Sequence, residues 1–157
     1  MSNFFITSPD FKEGEEIPKK FGYKFENTTP TIEFHNIPKG AATIALIMDD
    51  PDAMGAVGKI WVHWIVCNYQ DDIMEISGRH ISLPASGNQI QLEGKNDFGE
   101  IGYGGPAPPN GRHTYIFKAY ALDTILDLKE GYSKQDFGKV MIGHILAEAK
   151  LTGTFTP

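Results

Sequence analysis

Three short stretches of this 157-residue chain carry the residue types that do chemistry. Asp49, Asp50 and Asp52 surround a proline in DDPDA (49–53), and His63 stands between two tryptophans in WVHW (61–64). His113 and Tyr115 close a Gly/Pro-rich run, GPAPPNGRHTY (105–115). Imidazole N–H, phenol O–H and glycine main-chain N–H groups are all donors, which suits the oxygens of a phosphate-like anion. A nearby aspartate orients a histidine and favours its protonated form. The set therefore supplies donors and an acid without needing a nucleophile.

Other chemistries fit less well. A nucleophilic hydrolase needs Ser or Cys activated by a base, yet there is no G-x-S-x-G elbow, and Cys67 follows His63 on one strand without an evident third group. Walker and G-x-G-x-x-G phosphate loops are absent, so no nucleotide cofactor is implied. Counting from Asp50, the twelfth position is Trp61 and not the bidentate glutamate of an EF-hand. Two histidines and a carboxylate can hold iron or zinc, but neither H-x-H nor H-x-x-x-H spacing supports a metal site. Each stretch alone also has a plainer reading: DDPDA as a surface turn, His63 as a core histidine with a satisfied ring, the Gly/Pro run as a rigid turn.

The elements that must position these residues are mostly strands. Thr31–His35, Thr43–Met48, Ile60–Tyr69 and His113–Leu122 are rich in β-branched and aromatic residues and bounded by Gly, Pro or Asp. Ile73–Ile76 and Gln89–Leu92 are weaker candidates, in and beside a loop-like stretch from Ser77 to Gly111. Alternation in Ile60–Tyr69 places Trp61, His63, Ile65 and Cys67 on one face and Ile60, Val62, Trp64 and Val66 on the other. Both faces are apolar, which predicts an internal strand with a buried His63 that needs a partner. Cys67 reads as core packing, with no basic neighbour to lower its pKa. The same alternation puts His113, Tyr115 and Phe117 together, and Pro51 ends the preceding strand with the carboxylates at its tip.

One helix is predicted, capped by Ser133 with Asp136, carrying Phe137, Val140, Met141, His144 and Ile145 on one face, with Lys150 in its last turn and Gly153 closing it. His35 and His80 read as surface or loop residues. A βαβ alternation is missing, so the fold is expected to be a single domain over 1–157, mainly antiparallel β with peripheral helices.

Composition narrows the partners. A formal net charge of −6, with no basic run, argues against nucleic acid and acidic membranes. The single cysteine rules out an intrachain disulfide and a Cys-based zinc site. The N-terminus lacks the basic start and long apolar run of a signal peptide, and no run approaches the ~20 apolar residues of a membrane span. A cytoplasmic protein is expected.

DDPDA, WVHW and GPAPPNGRHTY, with SPDFKEGEEIP near the start and GHILAEAKLTGTF near the end, resemble the phosphatidylethanolamine-binding protein family, in its bacterial and archaeal Raf kinase inhibitor-like branch. The resemblance implies an antiparallel sheet core, a second smaller sheet, peripheral helices including a C-terminal one, and a small pocket for phosphate-like anions. Carried over by motif, the anion-binding residues are Asp50, His63, Gly105, His113 and Tyr115, with Pro51, Trp61 and Pro106 lining the pocket. Where the family usually has proline after D-P-D-A, this chain has Met54, and where it commonly has arginine between the histidine and the aromatic, this chain has Thr114. The implied function is a binding module, not an enzyme, for a phosphorylated or anionic small ligand, acting on a kinase or other signalling protein. The alternative is a protease inhibitor working through an exposed loop such as Leu83–Phe98 or the Pro-rich loop. A weaker third is hydrolysis, with His63 or His113 as general base. Bacterial relatives also suggest a homodimer.

Overall fold

Every residue from Thr43 to Asp50 is buried, which requires a layer of structure on each face of its sheet. The computed structural model describes residues 3–70, 81–83 and 91–157. Its strands are β1 (Phe5–Thr7), β2 (Ile32–His35), β3 (Thr43–Asp50), β4 (Trp61–Tyr69), β5 (Ile81–Leu83), β6 (Leu92–Glu93), β7 (His113–Leu122) and β8 (Ile145–Phe155). Two α-helices join them, α1 (Met54–Val57) and α2 (Lys134–Met141). The strands form a five-stranded sheet in the order β6-β4-β3-β7-β8 and a three-stranded sheet in the order β1-β2-β5, with every pairing antiparallel.

One face of the large sheet, with Trp64, Val66, Tyr115, Phe117 and Leu151, packs against Ile6, Ile32 and Phe34 of the small sheet. The other face, with Val62, Ile65, Cys67 and Leu122, is covered by Leu126, Tyr132, Phe137 and Met141. Cys67 belongs to that second layer, and burial pushes its thiol pKa up to about 11, as core packing requires. No helix among the described residues is long and apolar enough to cross a membrane. The candidate strand Ile73–Ile76, His80, residues 89–90 of the weaker second strand and residues 84–90 of the Leu83–Phe98 loop lie outside the described residues.

Two sequence expectations need correction. Helix α2 starts where predicted, with the Asp136 N–H donating to Ser133 Oγ at 3.1 Å, but it stops at Met141. Ile142 leaves the helical region and Gly143 takes a φ of 85°, so residues 145–155 turn back as β8. Ala, Glu, Lys and Leu there favour helix by propensity. Pairing along the whole of β7 overrides it, because Ala147, Ala149 and Leu151 then reach the core between the sheets. His144 consequently lies outside the helix, with Nδ1 2.8 Å from Asp123 Oδ1.

The second correction concerns β4. Met48 pairs with Trp64 but Asp49 pairs with Val62, leaving His63 as an extra residue opposite nothing in β3. This β-bulge breaks the period of two, so Val62 joins Ile65 and Cys67 while His63 turns away from them. A further register shift accommodates Asn68, which has φ 58°. Its Nδ2 donates to the Leu126 carbonyl at 3.0 Å and its Oδ1 accepts the Leu126 N–H at 2.8 Å. Asn68→Ala should lower stability by about 2–4 kcal/mol, from two lost buried hydrogen bonds and a left-handed backbone without asparagine's tolerance for it. Asn68→Gly should recover only the backbone share, and urea unfolding midpoints of the variants check the ordering.

Candidate functional site

The ends of β3, β4 and β7 converge on one cavity of about 170 Å³, lined by Asp50, Ala53, Ala56, Val57, Trp61, His63, Phe98, Ala107, Pro109 and His113. Asp50, His63 and His113 are each held by a traceable local device.

Asp50 ends β3 and caps the short turn that follows, its Oδ1 accepting the Asp52 N–H at 2.9 Å. Pro51 sits first in that turn, where a missing N–H costs nothing. Asp52 reaches across to β7, its Oδ2 accepting the Thr114 N–H at 2.8 Å. The DDPDA stretch is therefore a clasp between two strands. The other Asp50 oxygen, Oδ2, lies 2.7 Å from His113 Nδ1, with both side chains nearly buried. A carboxylate accepts only, so Nδ1 carries the proton and Nε2 is the free nitrogen of the ring.

His63 is held differently. Its ring Nδ1 lies 2.7 Å from the Gly104 carbonyl, and the Gly104 N–H donates back to the His63 carbonyl at 2.9 Å. The carbonyl fixes the tautomer, so here too Nε2 is free. Burial lowers the His63 pKa below its ordinary 6.5, against the opposing pull of the Gly104 carbonyl and the Asp50 charge. The ring is accordingly neutral at pH 7.

Tyr115 is fully buried beside both imidazoles, its ring 5.2 Å from His63 and 6.4 Å from His113. Burial raises its pKa first, the Asp50 charge second, so the phenol stays protonated. Its hydroxyl lies by Asp50 and the Ala107 backbone in good hydrogen-bond geometry with neither, and has no partner among the described residues. The Trp61 Nε1–H is likewise buried without an acceptor. Buried donors are normally satisfied; Trp61 lines the cavity, whereas Tyr115 packs edge-on to the His63 ring outside the lining.

The glycines have a different task from the one expected of them. Gly105 lies outside the cavity lining; its N–H donates to Asn27 Oδ1 at 2.7 Å, and a Cβ there would stand 1.9 Å from the Phe21 carbonyl. A Cβ on Gly104 would meet the Phe98 ring at 2.6 Å. The N–H groups of Gly102 and Gly104 are also engaged inward. The bare backbone thus serves close packing, not a ring of free donors. Pro51, Pro106 and Tyr115 also lie outside the lining, whereas Trp61 belongs to it.

Phe98 was missed by sequence reasoning. It forms one wall, edge-on to Trp61 at 5.5 Å and to His63 at 5.6 Å, and stacked on Tyr23 at 3.8 Å. Buried Asn96 places it: Oδ1 accepts the N–H groups of Phe98 and Glu100, and Nδ2 donates to the Gly102 carbonyl. Asp97 then pins this loop to β4, accepting the Val62 N–H at 2.7 Å. The only advance signal was an aromatic residue inside an Asn-Asp-x-Gly turn.

The chain matches known proteins over nearly its whole length. The phosphatidylethanolamine-binding protein family profile matches residues 7–156. The UPF0098 protein of Methanothermobacter thermautotrophicus is 41% identical over 147 residues, covering 92% of this chain and 93% of that protein. The UPF0098 protein of Chlamydia muridarum is 40% identical over 153 residues, covering 96% and 97%. Among solved structures, a putative phosphatidylethanolamine-binding protein homolog from Chlamydia trachomatis superposes with a TM-score of 0.82 at 35% identity, over 100% of this chain and 99% of that one. Escherichia coli YbcL, described as a new member of the mammalian family, gives 0.82 at 28% identity over 99% of each chain. With a family match over residues 7–156, this coverage and this superposition, the chain belongs to the bacterial and archaeal branch of the phosphatidylethanolamine-binding protein family.

Proposed function

We propose that this protein is a binding module, not an enzyme, and that its cavity takes a phosphorylated or otherwise anionic small group. One observation carries the reading. Both imidazoles have Nδ1 tied to the protein and Nε2 free, and both line one small cavity beside the unpartnered Tyr115 hydroxyl. With Nδ1 tied to the protein, Nε2 turns donor only when the ring is protonated, and an anionic ligand is what favours that form. A phosphorylated residue of a kinase or other signalling protein falls within this ligand class, and masking it is how the protein would act on such a partner.

Hydrolysis is less well supported. The Gly102, Gly104 and Gly105 N–H groups, which could have cradled a developing oxyanion, are all engaged within the protein. For protease inhibition, only Pro109–Arg112 of the Gly/Pro loop is exposed, a short tip for docking in another active site.

The experiment is calorimetric titration with sulfate, whose charge is constant from pH 5 to 8, and with inorganic phosphate. Saturable binding is expected, weakened about ten- to hundredfold by His63→Ala or His113→Ala, the range for losing a charge-assisted hydrogen bond. The absence of saturable binding to either anion would overturn the reading.

The pH dependence has a definite sign. His63 is neutral in the free protein because burial lowers its pKa, so its Nε2 becomes a donor only on protonation. An anion stabilises that cation and raises the pKa in the complex. Sulfate affinity should be highest and flat below the free-protein pKa, then fall as pH rises toward the pKa of the complex. Binding near neutral pH should take up protons, measured as a buffer-dependent heat.

In the absence of ligand the same group makes the fold acid-sensitive. An unfolded histidine takes a proton near its ordinary 6.5, whereas buried His63 resists it, so stability is full above 6.5 and declines as pH falls below it. Comparing urea midpoints at pH 7 and pH 5, His63→Gln should lose less stability on acidification than the wild type.

A further inference from the structure

Of the three carboxylates in DDPDA, Asp50 and Asp52 have been given tasks and Asp49 has not. Successive residues of β3 face opposite sides of the large sheet. Asp50 therefore lines the anion cavity, while Asp49 lies with Ile47 on the side covered by α2. There it lines a second cavity, of about 140 Å³, together with Lys118 and Tyr120 of β7 and Lys134 and Gly138 of α2.

Three of these residues are poorly explained by the fold alone. Asp49 is 2% exposed, yet among the described residues its carboxylate has a single hydrogen bond, from Lys118 Nζ to Oδ2 at 3.3 Å. Charge-assisted bonds are normally about 2.7–2.9 Å, and a buried carboxylate is costly unless its oxygens are served. Lys134 is the first residue of α2. The positive end of a helix disfavours a cation, and this exposed lysine has no ion pair among the described residues. Gly138 interrupts the middle of the same helix, where glycine costs more than any residue but proline. A Cβ there would meet no atom within 4 Å, so packing does not require the glycine.

We infer that this second cavity binds a small zwitterion, a free α-amino acid with a short side chain. Its ammonium meets Asp49 and its carboxylate meets Lys134 at the start of α2. The ammonium supplies the donors that Asp49 lacks. The carboxylate pairs with the lone lysine and sits where the helix dipole favours negative charge. A simple anion would be set against Asp49, and a simple cation against Lys118 and Lys134, so the site suits both signs together. Tyr120 adds a donor: burial raises its pKa, with Glu148 and Asp49 contributing, and keeps the phenol protonated. Ile47, Phe137 and Met141 complete the wall with apolar surface, which suits a methyl group better than a polar chain. Gly138 leaves the space open.

Nuclear magnetic resonance of the isotope-labelled full chain tests this residue by residue. L-Alanine should shift the amide signals of Asp49, Lys134 and Gly138 saturably. Acetate, with the anion alone, and ethylammonium, with the cation alone, should each bind at least about tenfold more weakly, as expected for one charge-assisted bond lost. Lys134→Gln should weaken alanine binding by a similar factor. Gly138→Leu should abolish it without lowering the urea midpoint, since leucine favours helix. Both positions are exposed, so these variants keep the test open where Asp49→Asn fails to fold. The absence of saturable shifts would overturn the inference. So would acetate binding as tightly as alanine, or a Lys134→Gln variant that binds as well as the wild type. Shifts confined to Trp61, His63 and His113 would also overturn it, by assigning the carboxylate to the other cavity. The two cavities are read by different amides, so failure of either proposal leaves the other standing.

Discussion

The reciprocal pair of hydrogen bonds between His63 and Gly104 organises the pocket end of the molecule. It exists because β4 carries one residue more than β3 can pair. In a regular ladder the His63 main chain would bond a neighbouring strand and its ring would join Ile65 and Cys67 in the helix-covered layer. The bulge frees the carbonyl and swings the ring toward Tyr115 and Phe98. A buried imidazole without a partner would cost several kcal/mol, so a backbone must come to it, and the Gly102–Gly105 run does. That approach explains the glycines: a side chain on Gly104 would strike Phe98, and one on Gly105 would strike the Phe21 backbone.

Asp50 performs the corresponding work on the other wall. One oxygen closes its own turn and the other holds His113, so a single buried carboxylate sets both the loop and the ring. Asp52 adds a bond to the Thr114 main chain. This bears on Thr114, which replaces the arginine common in the family. The Asp52 carboxylate is held by the β7 backbone and does not depend on a side chain at 114 for its partner. Arg112, the neighbouring cation, is exposed at the loop tip.

Much of this was legible in the residues. The β-branched and aromatic runs gave the main strands within one or two residues, since buried strands of a two-layer β fold leave little compositional ambiguity. The carboxylates, histidines and Tyr115 stood at strand ends because Pro51 and the Gly/Pro run stop the strands there. What could not be read was set by partners distant in sequence. Ile145–Lys150 has the composition of a helix and becomes a strand only because β7 lies beside it. The bulge at His63 is a counting mismatch between two strands, invisible in either alone. Phe98 enters the wall through Asn96, whose bonds reach only a few residues but whose burial depends on the whole loop. Gly105 was placed at the anion by motif, and the fold gives its N–H to Asn27.

Under the proposed function, the composition of the cavity wall would suit a ligand that brings more than charge. Around the polar cluster the cavity wall is Ala53, Ala56, Val57, Trp61, Phe98, Ala107 and Pro109. Val57 in that wall is 56% exposed, and its sequence neighbours Met54 and Ile60 are 53% and 38% exposed. A free inorganic anion would satisfy the two imidazoles and Tyr115 and leave these surfaces wet. An anionic head on an apolar body would use both, burying carbon against the rim at roughly 25 cal/mol per Å² while its oxygens meet the rings. Met54 suits such a rim: an unbranched, polarisable side chain adapts to different bodies more readily than the proline usual in the family. The polar floor is rigid, each histidine locked through Nδ1, and the rim is soft. Under the proposed function, the floor would select the head and the rim would tolerate variation in what carries it.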